Sequence, residues 1–408
     1  MREIMRAGPS KAVRGRAALA RRHPVRTAAP IAARRSGGLG FAPAAIRHRA
    51  CAAPLPAQPQ PRDAALNRLL LIQGLRAAAA AAVVLHHLWH EAFAPPARAW
   101  LATLPWEAGV DVFFVISGFV MVHASAPLFG APGAAGTFLR RRLARIVPLY
   151  WVTTAVFLLA LMAAPGQIRT AWPSVAQLLA SLAFLPWPRP DGVVQPVYSL
   201  GWTLNYEMFF YAAFALCLPL RRAAAVTAVA AGLGLAVLAG SLLPGLPVAL
   251  VFWTDPLLLE FCLGMALALL VARGTTLPGT TRLSLALAGL ALLVLLPAEW
   301  TRALRFGPGA GLLVAAAALG PQPPLPPLAA RWMARLGDAS YALYLMHPFA
   351  LRGVALGWGK LAASGAVATW LAVATAFTLA VAVALASHHW LEAPLTRALA
   401  GRRHPPSR

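Results

Sequence analysis

Apolar runs of about 17 to 25 residues, enough to cross a ~30 Å hydrocarbon core as a helix, recur in this chain from Leu69 to the neighbourhood of His389. In hydrocarbon the backbone has no water to bond, so such runs must be helices that satisfy their own amides and carbonyls. The composition agrees. Of 408 residues 59% are hydrophobic and 12% charged, with a mean hydropathy of +0.66, where soluble domains carry about 25% charged residues. The expected fold is an all-α, polytopic membrane helix bundle, built as one membrane domain over residues 68–400 rather than as a soluble enzyme with an anchor.

The periodicity predicts about ten spanning helices, at 69–92, 110–127, 143–163, 202–219, 223–243, 249–271, 283–298, 307–320, 338–358 and 366–389. A further apolar piece, 174–187, is shorter than a span and closes on Pro186, Pro188 and Pro190, which reads as a re-entrant or interfacial segment. If it does not cross, one face holds Arg140, Arg141, Arg142, Arg145, Arg221, Arg222, Arg273, Arg282, Arg331, Arg335, Arg397, Arg402 and Arg403. The other keeps Arg98, Arg169, Arg189, Arg302, Arg305, Arg352 and Lys360. The positive-inside rule then places both termini in the cytoplasm.

The net charge of +24 is not a nucleic-acid footprint, because it is not gathered on one soluble face. Part lies in short clusters between spans. The rest lies in residues 1–67, rich in Arg, Ala and Pro, which read as a disordered cytoplasmic tail or as the product of a mis-assigned start. That segment lacks the apolar core of a secretory signal, although an Arg-rich, acid-poor leader also resembles an organellar transit peptide. Residues 401–408 read as a second basic cytoplasmic tail. Cys51, Cys217 and Cys262 are scattered, without disulfide or zinc spacing.

A titratable side chain at bilayer depth costs about 2.5 to 3.5 kcal/mol on insertion scales, so each is a functional candidate. The first span places Arg76 near its cytoplasmic end and His86, His87 and His90 towards the far end. Arg76 either snorkels to the inner surface or serves a site. His87 is either a packed neutral histidine or a general base, its ordinary pKa suiting hydroxyl deprotonation. The three histidines have no nearby carboxylate to complete a metal site, and none is assigned. Asp111 opens the second span at the level of His87. It is either a dipole-complementing acid or the group that orients an imidazole. Before the third span, Arg141 and Arg145 stand four residues apart on one helix face, with Arg142 three residues from Arg145, a cluster suited either to nucleotide phosphates or to anionic lipid. Trp202, Asn205, Tyr206 and Glu207 begin the fourth span, where aromatic planes beside a carboxylate anchor an interface or grip a sugar. Asp255 and Glu260 flank Pro256. His347, next to Pro348, reads as a packing device or a catalytic group. Glu392 is expected to pair with a cytoplasmic arginine.

The pieces GLRAAAAAAVVLHH, GVDVFFVISGFVM, FLRRRLARIVPLYW, SLGWTLNYEMFFY, LGDASYALYLMHP and HHWLEAP stand in this order. Together they resemble the acyltransferase 3 family of bacterial membrane O-acyltransferases, over roughly 68–400. The WTLNYEMFFY form looks most like the subgroup associated with exopolysaccharide production. The resemblance implies a multi-pass protein of the bacterial inner membrane that moves an acyl group, commonly acetyl, from acyl-CoA to a sugar hydroxyl of an envelope or exopolysaccharide. Acyl-CoA would be a co-substrate, with no permanently bound cofactor. The family's arginine and histidine, separated by ten intervening residues in the first span, fall on Arg76 and His87. By the same resemblance Arg142 and Arg145 join Arg76 in donor binding, and Glu207 belongs to the acceptor-side motif with Trp202, Asn205 and Tyr206.

The expected chemistry has His87 removing the acceptor proton, with Asp111 or Glu207 orienting the imidazole. Its difficulty is depth, since the arginines and the histidine lie at opposite ends of the bundle. Either the pantetheine arm threads the bundle or an acyl-enzyme on Ser117, Tyr206 or His87 carries the group across. Two other classes remain open from the residues alone: a proton-coupled secondary transporter and a non-catalytic scaffold of a polysaccharide assembly complex. Besides acyl-CoA, the expected partners are a carbohydrate or lipid-linked glycan and the bilayer.

Overall fold

A computed structural model describes residues 69–93, 100–163, 171–189, 192–361 and 365–400. The two expected basic tails lie outside the described residues. All described residues belong to one compact unit, Gln58–Arg408, and apart from a single isolated bridge between Pro188 and Val194 their regular structure is helical.

Each of the ten expected spans falls on helix. In chain order the helices are α1 (Leu70–His87), α2 (Gly109–Ala124), α3 (Ala134–Ala163), α4 (Val175–Leu182), α5 (Trp202–Cys217), α6 (Arg222–Leu242), α7 (Val248–Trp253), α8 (Leu258–Ala272), α9 (Gly279–Leu295), α10 (Arg302–Ala318), α11 (Pro327–Asp338), α12 (Ser340–Lys360), α13 (Ala366–Ser387) and α14 (Ala393–Leu399). Among the described residues six helical stretches are long and apolar enough to cross a membrane: Leu70–His90, Trp106–Ala124, Ala134–Ala163, Arg222–Leu242, Val248–Ala272 and Ala366–Leu399. The helices α5, α9 and α10 run 16, 17 and 17 residues, about 24 to 26 Å at 1.5 Å per residue. They fall short of the full hydrocarbon thickness on their own.

The segment expected not to cross contains α4, whose 8 residues extend about 12 Å. The helix starts where Ser174 Oγ accepts from the Gln177 amide, a regular N-cap. It is held against α3 by the Tyr150 hydroxyl on Ser181 Oγ (2.8 Å) and by the Trp151 indole N–H, which donates to Leu182 O (3.0 Å). The sixth expected span is broken into α7 and α8 because Pro256 has no amide hydrogen to continue a helix; Asp255 Oδ1 accepts from the Leu257 amide and starts α8.

Between lipid-facing helices burial supplies little net drive, so close van der Waals packing must hold the bundle. Small residues make it possible where α2 crosses α8. A Cβ added at Gly118 would run into the Phe261 carbonyl, and one at Gly264 into the Val115 carbonyl. Around this crossing Phe114, Phe261 and Phe210 stack in series with centroids 4.9 and 4.4 Å apart, and Phe138 meets Phe214 at 5.1 Å. Such pairs add about 0.5 to 1.5 kcal/mol each beyond area burial. They fix α2, α3, α5 and α8 around the space that holds the site.

Candidate active site

Among the described residues, two cavities within the bundle gather the candidate side chains. The first lies among α1, α2, α3, α5 and α12 and has an empty volume of about 830 Å³ including its mouth; Arg76, Arg142, Arg145, Ser117, Glu207 and Tyr211 give it its polar character. Three arginines against one carboxylate make it cationic. Their placement follows from helix geometry, since Arg142 and Arg145 are three residues apart on one face of α3. Arg140 and Arg141 are exposed instead. Arg76 does not reach out to a surface. Its Nη1 donates to Gln73 Oε1 (2.8 Å), and Gln73 Nε2 donates to Asp338 Oδ1 (2.7 Å), a relay that fixes the guanidinium at the cavity wall.

Glu207 sits with these arginines, away from the histidines. On α5 the positions Thr203, Glu207 and Tyr211 form one ridge along the arginine-lined cavity. One oxygen of Glu207 accepts from Ser117 Oγ (2.9 Å) and from the Tyr211 hydroxyl, so it does not orient an imidazole. Asn205 and Tyr206 point off this ridge. Both are buried, neither is among the lining residues of this cavity or of the second one described below, and the Tyr206 ring stacks on Phe252 at 4.1 Å. Of the three residues expected to grip an acceptor, Trp202 lines the second of these two cavities and the other two line neither.

That second cavity, about 670 Å³ including its mouth, is lined by His86, His87, Glu107, Gln195, Trp202 and Arg302 among others. The α-helix that carries Arg76 ends at His87 and continues as a π-helix, Leu88–Ala92, a distortion frequent at functional sites. Arg76 and His87, eleven positions apart, stand about 16 Å apart along the axis, so one helix presents a cation to one cavity and an imidazole to the other. The His87 ring lies 5.0 Å from that of His347. His347 is fully buried, and its Nδ1, 3.0 Å from Leu343 O, must carry a proton to donate there. In the same cavity His86 meets a carboxylate, with Nδ1 3.4 Å from Glu107 Oε2.

Asp111 is not the partner of an imidazole. Its fully buried carboxylate is clamped by Arg302, with Nε donating to Oδ1 (3.1 Å) and Nη2 to Oδ2 (2.6 Å), and Nη2 also donates to the Glu107 carbonyl (2.7 Å). A bidentate guanidinium is the expected partner for a carboxylate that cannot reach water. Arg302 lies over the Trp202 ring at 5.8 Å, which ties this structural pair to the cavity wall. Glu392, expected to meet an arginine, instead pairs with His388 Nδ1 at 2.9 Å, one turn earlier on the same helix.

Sequence reasoning missed Glu107, Arg302 and Tyr344 as wall residues. From the sequence Arg302 reads only as a cation between spans; the signal that could flag it is a buried acid, Asp111, in need of a partner from a helix far along the chain. Tyr344 lay inside a motif already noticed, with no chemistry of its own to single it out.

No solved structure matches this chain. The acyltransferase domain family profile matches residues 70–389, which include both cavities. The exopolysaccharide production protein ExoZ of Rhizobium meliloti (strain 1021) is 37% identical over 310 residues, covering 72% of this chain and 91% of that protein. The acyltransferase MdmB of Streptomyces mycarofaciens is 31% identical over 373 residues, covering 83% and 94%. With the match spanning most of the helical bundle and both cavities, the chain belongs to the acyltransferase 3 family and is a membrane acyltransferase.

Proposed function

We propose that the protein transfers an acyl group, acetyl in the first instance, from acyl-CoA to a sugar hydroxyl of an exopolysaccharide or other envelope glycan at the bacterial inner membrane. The observation that carries the reading is the division of the site: a cationic cavity with Arg76, Arg142 and Arg145, backed by a second cavity with His87 and Trp202. Guanidinium groups suit the phosphates of a nucleotide-like donor. The likeness to ExoZ, named for exopolysaccharide production, supports a carbohydrate acceptor. The positive-inside count puts the arginine-lined cavity at the cytoplasmic side, where acyl-CoA is found.

In this reading His87 takes the proton of the acceptor hydroxyl. The oxygen attacks the thioester carbonyl carbon, a C–O bond forms as the C–S bond breaks, and the imidazolium returns its proton to the departing sulfur. A second assignment, His86 as the base with Glu107 orienting it, is favoured by their 3.4 Å contact.

The test is transfer of label from radiolabelled acetyl-CoA into envelope glycan by membranes carrying wild type, His87→Ala or His86→Ala at equal abundance. Transfer lost in His87→Ala and retained in His86→Ala is expected. The opposite pattern assigns the base to His86, and full transfer in both removes histidine catalysis.

A further inference from the structure

The two cavities share two wall residues, Val110 on α2 and Tyr344 on α12. Both side chains are nearly inaccessible, so they form a partition one side chain thick. Tyr344 is latched in that position. Its hydroxyl donates to Leu200 O (2.9 Å) and lies 3.0 Å from Thr203 Oγ1, at the junction where a short 3-10 turn, Ser199–Gly201, becomes α5. Leu200 lines the histidine-lined cavity and Thr203 the arginine-lined one. The latch therefore ties the partition to the chain that separates the two spaces. Phe113 supports the Tyr344 ring edge-on at 6.3 Å from the arginine side.

We propose that Tyr344 and Val110 form the aperture between the donor and acceptor cavities, through which the acyl thioester passes, and that they set the length of acyl chain the enzyme accepts. The inference rests on the transferase reading above and deepens it. If the donor phosphates stay with Arg142 and Arg145 while the hydroxyl is activated beside His87, the thioester carbon has to reach the histidine side, and these two side chains stand in the way. Release of the Tyr344 hydroxyl from Leu200 O and Thr203 lets the ring swing aside. The apolar faces of Val110 and the tyrosine ring then meet the acyl methylenes, and each methylene in such a slot is worth on the order of tenfold in discrimination. No new bond chemistry is involved. The aperture acts before attack, by admitting or refusing the acyl group, and when closed it keeps water of the acceptor side away from the thioester.

The measurement is the ratio of butyryl to acetyl transfer from the two CoA thioesters in membranes carrying wild type, Val110→Ala and Val110→Leu, together with release of free CoA thiol in the absence of acceptor for Tyr344→Phe. Val110→Ala is expected to raise the ratio on the order of tenfold and Val110→Leu to lower it, a reversal of sign that a general loss of stability does not produce. Tyr344→Phe keeps the ring and loses the latch, and is expected to raise acceptor-independent thioester hydrolysis several-fold relative to its own rate of acetyl transfer; an unchanged hydrolysis-to-transfer ratio overturns the latch. An unchanged ratio in both Val110 variants, with transfer retained, overturns the aperture and leaves the transferase reading intact. A wild type that transfers neither acyl group overturns both.

Discussion

The two cavities are built by different means. The arginine-lined space is walled by regularly spaced positions of long helices: Arg142 and Arg145 on α3, and Thr203, Glu207 and Tyr211 on α5. The histidine-lined space gathers the last residues of α1, Glu107 from a 3-10 turn, the loop that carries Gln195, and the first residues of α5 and α10. A rigid, periodic wall suits a constant ligand part such as a phosphate group. Walls made from helix ends and loops are where related folds vary without disturbing the bundle. On the proposed function, the contrast assigns donor recognition to the helical scaffold and acceptor recognition to its ends.

Four substitutions sharpen or break that division. The largest effect is expected for His87→Ala, a loss of transfer of about a hundred- to ten-thousand-fold, measured as labelled glycan formed per unit of membrane protein, with donor KM little changed. Next, Asp111→Ala leaves Arg302 without its buried partner and is expected to destabilise the fold by about 3 to 5 kcal/mol, read as a lower unfolding temperature in detergent; an unchanged temperature contradicts the structural role given to this pair. Arg145→Ala removes one charge-assisted contact, about 1.5 to 3 kcal/mol, and should raise the KM for acyl-CoA by about ten- to a hundredfold while the acceptor KM stays put. The smallest effect is expected for Trp202→Ala, which takes away an aromatic face beside Arg302 and should raise only the acceptor KM, by a few-fold. A donor KM that moves with Trp202, or an acceptor KM that moves with Arg145, breaks the division.

The scaffold half was largely legible in the sequence. Helical spacing puts Arg142 and Arg145 together, and the lengths of apolar runs locate the helices, although the run 249–271 reads as one span and the structure breaks it at Pro256 into α7 and α8. The acceptor half was not. Trp202, Asn205, Tyr206 and Glu207 are consecutive or nearly so, yet at 100° per residue they point in different directions, and only the packing of α5 against α2 and α3 decides which faces which space. Glu207 accordingly belongs with the arginines and Tyr206 with the core. Pairings across long sequence separation were equally invisible. Asp111 with Arg302, 191 positions apart, and His87 with His347 depend on which helices become neighbours, and no local pattern encodes that.

The most direct test of the division is equilibrium binding of radiolabelled acetyl-CoA, without acceptor, to purified wild type, His87→Ala and an Arg142→Ala/Arg145→Ala double variant. The two-cavity account predicts wild-type affinity for His87→Ala and a loss of at least about a hundredfold for the double variant, two charge-assisted contacts being removed together. Weakened binding in His87→Ala with undiminished binding in the arginine variant would contradict it.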